Sequence, residues 1–399
     1  MLWVSGAPGT GKSTTGWGLY TRIAEQGGSV AYVDLDQLGL IGPPPGGGAA
    51  SHGIKTDNLL RVVATLRRRG VQQVIVSGVV DPERGIEPYL AGNAEAAHVD
   101  VTLMRLRCDR DELRRRFLGR GSSADLLGEL FDLVDELDRS RIGTLLDTTR
   151  QLPDETVDAL LERCVVRAGP ACTPPEVSID SIDDGSLQAP VVVVTGPTAV
   201  GKSTAAWSVL RTLWQRGLST AYVDLGQLGF VHPGPDPALE AANLRALRDG
   251  YRHSGAEVLL VVTRDPGSVL RALPDDVVTV IRLDADAGTL ADRVRRRAEG
   301  EAALLAGDEL RGAPSGVQRE VAARAVAEAD RLRRSETDEV VLNTTGQNPD
   351  ETSAALLDAL RRDELLRPNG RTALVSQPGP PAPWGAEPAS GVVSRYLTS

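Results

Sequence analysis

The sequence predicts an α/β protein made of two tandem units, each a five-stranded parallel sheet sandwiched by helices. Three observations lead there. Apolar runs alternate with helical patterns along the chain, the arrangement that wraps helices around a parallel sheet. A segment of the form G-x-x-x-x-G-K-[ST] follows an apolar run twice, at Gly6–Thr14 and at Gly196–Thr204. Other stretches recur at a similar offset: Ala31–Gly39 returns as Ala221–Gly229, Asn58-Leu59 as Asn243-Leu244, Asp81-Pro82 as Asp265-Pro266, and Asp147-Thr148-Thr149 as Asn343-Thr344-Thr345. The repeat is therefore domain-sized, unlike the short repeats of solenoids, and each unit is long enough to close a core of its own.

Taken in order, the first unit spans 1–167, with strands expected near 2–5, 30–35, 73–79, 100–106 and 143–147. Helices are expected near 12–26, 56–69, 109–118, 124–139 and 154–164. Between the second strand and its helix, Gly39 to Lys55 is Gly/Pro-rich and reads as a flexible loop. A linker over 168–190 carries Pro170, Pro174, Pro175, Pro190 and a Ser/Asp-rich middle. The second unit spans 191–367, with strands near 191–195, 219–224, 257–263, 277–283 and 339–343. The Pro/Gly-rich tail, 368–399, has too little apolar surface to order itself.

The 399 residues are 41% hydrophobic and 25% charged, as in an ordinary water-soluble protein. A net charge of −10 and 4% aromatic residues speak against a nucleic-acid surface, which needs basic patches and stacking platforms. Three cysteines without a C-x-x-C pair suggest neither a disulfide framework nor a zinc site, and His52, His98, His232 and His253 are scattered. No run reaches the length of a membrane span. A cytoplasmic protein with no membrane partner is expected.

The chemistry begins at the glycine-rich segment. Its glycines let backbone N–H groups turn toward a phosphate, the following helix offers its positive end, the lysine reaches the outer phosphates and the serine hydroxyl meets Mg²⁺. This is the P-loop pattern, so two tandem P-loop NTPase domains binding ATP and Mg²⁺ are expected. Candidate nucleotide-binding residues are Gly6, Gly9, Thr10, Gly11, Lys12, Ser13 and Thr14, with Gly196, Gly201, Lys202, Ser203 and Thr204 in the second copy.

At the end of the second strand, Asp34-Leu35-Asp36 places two acids at i and i+2, on one side of an extended chain. In phosphoryl transfer one acid can accept a proton from the acceptor hydroxyl while the other helps hold the metal. Ser13, Asp36 and Ser203 are the candidate Mg²⁺ ligands. In the second copy Asp36 is replaced by Gly226, leaving Asp224 alone.

Gly6–Thr14, Asp34–Leu40 and Asp57–Arg61 together resemble adenylylsulfate kinases and, more loosely, shikimate and gluconate kinases of the P-loop kinase superfamily. The resemblance covers most of each copy. It implies that Asp34 and Asp36 stand where those kinases keep their base and Mg²⁺-linked acids, and Asn58 where a substrate-side asparagine sits. The second and last residues of the D-G-D-N motif are Leu35 and Gln37 here, and no Arg-Phe-Ser precedes Asn58. The acceptor therefore stays open.

After the fourth strand comes an arginine-rich stretch from Arg105 to Arg120, matched by Arg293–Arg297. Most of these fit a solvated helix face. Arg116 and Arg120, beside Gly119 and Gly121, are the candidates for a lid that stabilises charge during transfer. Thr148, after the fifth strand, either touches the adenine or belongs to a helix-capping turn. Ser77 and Gly78, within the third strand, lie near the same crevice.

The expected activity is an ATP-dependent kinase acting on a small hydroxyl- or phosphate-bearing acceptor, with Lys12, Asp34, Asp36, Arg116 and Arg120 as catalytic candidates and chemistry mainly in the N-terminal copy. The alternative is an ATP-binding regulatory or scaffold protein without acceptor chemistry. No Asn-Lys-x-Asp motif supports a GTPase. The oligomeric state is open.

Overall fold

A computed structural model describes residues 1–43, 48–89, 99–163, 189–301, 306–334 and 338–362. Most of the expected linker and all of the expected tail lie outside the described residues, as do Cys164, Cys172 and His98.

In the N-terminal half, β1 (Leu2–Ser5), β2 (Val30–Asp34), β4 (Gln73–Ser77), β5 (Thr102–Arg107) and β6 (Thr144–Asp147) form a parallel sheet. Helices α1 (Lys12–Glu25), α2 (Gly48–Arg68), α3 (Arg110–Gly119), α4 (Leu127–Ser140) and α5 (Pro153–Arg163) cover it, and β3 (Ile41–Gly42) lies between β2 and α2. The C-terminal half repeats the plan with β7 (Val191–Thr195), β8 (Thr220–Asp224), β10 (Val258–Val262), β11 (Val278–Asp284) and β12 (Val340–Asn343). Its helices are α6 (Lys202–Gln215), α7 (Pro237–His253), α8 (Pro266–Ala272), α9 (Ala287–Ala298), α10 (Ser315–Arg333) and α11 (Pro349–Arg362). A short strand, β9 (Val231–His232), precedes α7.

Each sheet has six strands, not the expected five, and the sixth comes from the other half. The orders are β6-β5-β1-β4-β2-β9 and β12-β11-β7-β10-β8-β3. Strand β9 runs antiparallel to β2 with Ala31 opposite Val231, and β3 runs antiparallel to β8 with Ile41 opposite Ala221. The two registers interconvert when the halves are exchanged, since 221 − 31 and 231 − 41 both equal 190. The exchange has a physical reason. Strands β2 and β8 would otherwise leave an open row of backbone donors and acceptors, and each half covers the other's edge.

The same exchange joins the cores. Leu59, Val62 and Leu66 of α2 share one apolar cluster with Leu244, Leu247 and Tyr251 of α7, so neither half closes its core alone. Phe230, beside β9, sits among Trp17, Tyr20 and Tyr32 of the first half. Leu40, beside β3, packs in the mirror position with Trp207, Trp214 and Tyr222. The stretch expected to be a flexible loop thus contains β3 and the first turns of α2, which starts at Gly48 rather than near 56. Among the described residues no helix is long and apolar enough to cross a membrane.

Candidate functional site

The G-x-x-x-x-G-K-S segment of the first half leaves the carboxyl end of β1, the central strand of the parallel set. Gly6 adopts φ +141°, and a Cβ there would overlap the carbonyl oxygen of Leu106 on β5. Only glycine lets the loop turn so close under the neighbouring strand. Gly11 caps α1 at φ +98° without any side-chain hydrogen bond, so the first amides of the helix have no side-chain cap.

Lys12 is buried and donates to Ala7 O at 3.1 Å. Burial pushes its ammonium down to about 8, Asp36 opposes that shift, and the charge of Arg120 adds to it. Ser13 and Thr14 are exposed at the helix start.

Asp34 ends β2 and accepts the amide of Asp36 at 3.0 Å, starting a short 3-10 turn, Leu35–Leu38. Burial, and then the neighbouring charge of Asp36, holds its carboxyl above the usual carboxylate range. The Asp36 carboxylate accepts from Lys55 Nζ at 2.7 Å, and that lysine is itself buried on α2. Loop lysine, acid pair and second lysine therefore form one alternating charge cluster. Ser77 lies behind it, sharing a 2.8 Å hydrogen bond with Tyr32.

The arginines separate as their contacts dictate. Arg105 and Arg107 pair with Asp138, Arg110 with Asp135, and Arg115 with Glu112. Arg116 pairs with Glu112 at 2.6 Å and donates to Thr148 O at 2.8 Å, so it braces the turn after β6 from the body of α3. Arg293 holds Thr344 O in the same way at 2.9 Å in the second half. Arg120 lies past the end of α3 with its guanidinium over the Phe117 ring, and it is the arginine whose charge is felt at Lys12. Thr148 is buried, with its hydroxyl 3.1 Å from Arg107 O and 3.4 Å from Thr10 O, tying the turn to the glycine-rich loop.

Asn58 is wholly buried at the seam between α2 and α7 and donates to Leu38 O at 2.7 Å. Asn243 does the same to Leu228 O and also meets the Thr65 hydroxyl. Asn58 is thus a seam residue, not one that faces an acceptor. Sequence reasoning missed this because the partner elements come from opposite halves.

In the second half, Lys202 donates to Gly196 O and Pro197 O at 2.9 and 2.8 Å, and burial pushes it down to about 8. Ser203 donates to Asp224 at 2.9 Å, so the first acid of the motif is the one within reach of the loop serine. Gly226 stands where the first half has Asp36, and Glu240 stands where it has Lys55 when the offset is 185. The amide of Thr198, inside the loop, donates to the Glu328 carboxylate at 2.7 Å. Nothing local in the sequence marks Glu328, which lies 130 positions away on α10.

No protein-family model matches the chain, and no curated protein does. Among solved structures, an uncharacterized protein from Eubacterium ventriosum ATCC 27560 matches at 9% identity and a TM-score of 0.29, covering 44% of this chain and 99% of its own. A protein from Chloroflexus aurantiacus J-10-fl, described as "a putative kinase", matches at 15% identity and a TM-score of 0.28, covering 45% of this chain and 98% of its own.

Proposed function

We propose that the chain is an ATP-dependent phosphotransferase of two P-loop domains, with its chemistry in the N-terminal half. The observation that carries this reading is the cluster Lys12–Asp34–Asp36–Lys55, whose acid pair and second lysine are replaced by a single acid, Gly226 and Glu240 in the other half.

The residues present fit a nucleotide and its metal. Gly6 keeps the loop free of a side chain that would block its turn, the α1 N-cap makes no side-chain hydrogen bond, and Lys12 is buried with its ammonium donating to the Ala7 carbonyl. Bound ATP·Mg²⁺ would supply the transferable phosphoryl group. Ser13 and Asp34 would hold the metal, a role moved from Asp36 because the equivalent pair Ser203–Asp224 is in contact. Asp36 would accept the proton of an acceptor hydroxyl, and its ion pair with Lys55 at 2.7 Å would hold that carboxylate in place. Lys12 would neutralise charge on the transferring group, and Arg120 adds a positive potential at the same place. The acceptor is a small hydroxyl- or phosphate-bearing molecule.

The test is ADP release over a panel of small metabolites. Lys12→Ala is expected to lower turnover by about 100-fold or more, the scale of losing one group that stabilises developing charge. Asp36→Asn is expected to abolish turnover while ATP binding persists. Retained turnover in Lys12→Ala overturns the assignment. Unchanged ATP-dependent behaviour in Asp36→Asn, with binding intact, favours the regulatory or scaffold reading instead.

A further inference from the structure

The C-terminal loop differs from its N-terminal counterpart in one contact that bears on what it can take. The Thr198 amide donates to Glu328. At an offset of 190 Thr198 corresponds to Pro8, which has no N–H to give.

The acid side of the contact has changed as well. In the first half the last residue of β5, Arg107, pairs with Asp138 on α4; in the second, the last residue of β11, Asp284, pairs with Arg333 on α10. This reversed pair aligns the two helices, with 333 − 138 = 195. The same offset places Glu328 at Leu133, since 328 − 133 = 195. Leu133 is a buried apolar residue in one cluster with Ala7 of the first loop. Donor and carboxylate therefore occur together in the second half, and neither occurs in the first.

We propose that Glu328 closes the C-terminal glycine-rich loop to nucleoside triphosphates, so that the whole chain takes one nucleotide, at the N-terminal loop. This rests on the reading of these loops as nucleotide cradles. A phosphate entering the loop between Gly196 and Thr204 meets a fixed negative charge already hydrogen-bonded to a loop amide. Admission requires breaking that charge-assisted bond or placing two anions side by side, and both disfavour binding. Glu328 also acts electrostatically on Lys202, so the cation meant for phosphate already has a carboxylate nearby. Ala199, in the same loop, holds a left-handed backbone at φ +63° without being glycine. Gly9, its counterpart at the offset of 190, is left-handed as well at φ +91°, so the two loops share this turn and differ in the Glu328 contact. The second half on this account contributes structure, through β9 and α7, while its cradle is filled by its own chain.

The experiment measures binding stoichiometry on the 399-residue chain by equilibrium dialysis against labelled Mg·ATP. Wild type is expected to bind one equivalent and Lys12→Ala none. Glu328→Ala is expected to bind two. Lys12→Ala/Glu328→Ala is expected to regain one equivalent that a further Lys202→Ala removes. Glu328→Gln keeps the shape of the side chain while removing its charge, and is expected to show the second site more weakly. Two equivalents in wild type overturn the proposal, as does one equivalent in Lys12→Ala that Lys202→Ala abolishes, or a stoichiometry of one in both Glu328 variants. If the stoichiometries hold but no variant turns over any acceptor, the phosphotransferase reading fails and the closed loop stands. If no variant binds nucleotide, both fail.

Discussion

Lys12 is where the chemistry of a single side chain can be read most directly. Its ammonium is buried, which pushes it down to about 8 from an unfolded value of 10.5. Between those values the unfolded chain binds the extra proton, so this group's contribution to stability rises with pH across that window and opposes folding below it. A bound polyanion favours the protonated lysine. Nucleotide binding should therefore draw in a proton near pH 9 and not near pH 6.5. Titration calorimetry in buffers of different ionisation enthalpy measures this directly, and Lys12→Arg, which stays charged, should remove the uptake. Buffer-independent heats at both pH values would contradict it. Asp34 gives the complementary acid limb. Burial and then Asp36 raise its carboxyl, so Asp36→Asn should lower the Asp34 midpoint, readable from carboxyl ¹³C shifts. The glycine-rich turn after β1 and the acid pair at the end of β2 were legible in the sequence because each is a local pattern of residue types at fixed spacing. Arg116 was not, because a basic helix reads alike whether its arginines face phosphate or brace a turn. Glu328 was not either, because its partner lies far away in the chain.

At the scale of elements, the parallel strands were legible to within a few residues, since each is short, rich in apolar residues and set between helical patterns. Strands β3 and β9 were not, because two residues carry no periodicity and their partners lie across the duplication. The seam helices show how closely these elements are fitted. A Cβ on Gly250 of α7 would overlap the amide oxygen of Asn58 on α2. Gly250→Ala should therefore destabilise the fold by about 1–3 kcal/mol, the usual scale of overpacking, despite the better helix propensity of alanine. Because α2 also carries Lys55, turnover should fall along with the melting temperature. A rise in stability would mean that α2 and α7 can separate at no cost. Phe230→Ala probes the other join: about 3–5 kcal/mol is the scale for emptying a buried aromatic site, and Phe230, only partly buried, should fall at or below its lower end. Urea unfolding followed by tryptophan emission reads it, since Trp17 packs against the Phe230 ring at 4.7 Å.

At the scale of the molecule, the duplication has become an internal pseudo-dimer. The contacts of α2 with α7, and of β2 with β9, are those of an isologous interface in which the partners happen to share one chain. A fragment ending at 163 would lose β9 from the edge of β2, leave β3 without β8, and expose Leu59, Val62 and Leu66. Its own surfaces could supply the missing parts. The β3 of a second fragment is the counterpart of β9, and Asn58 facing Thr65 of that fragment would reproduce the contact now made by Asn243 with Thr65. Residues 1–163 are therefore expected to sediment as a dimer with a concentration-dependent melting temperature. Adding residues 189–362 should convert that species to a one-to-one complex in which β9 and α7 resume their places. A fragment that is monomeric at micromolar concentration and as stable as the whole chain would show that the exchanged strands and the helix seam contribute little to folding.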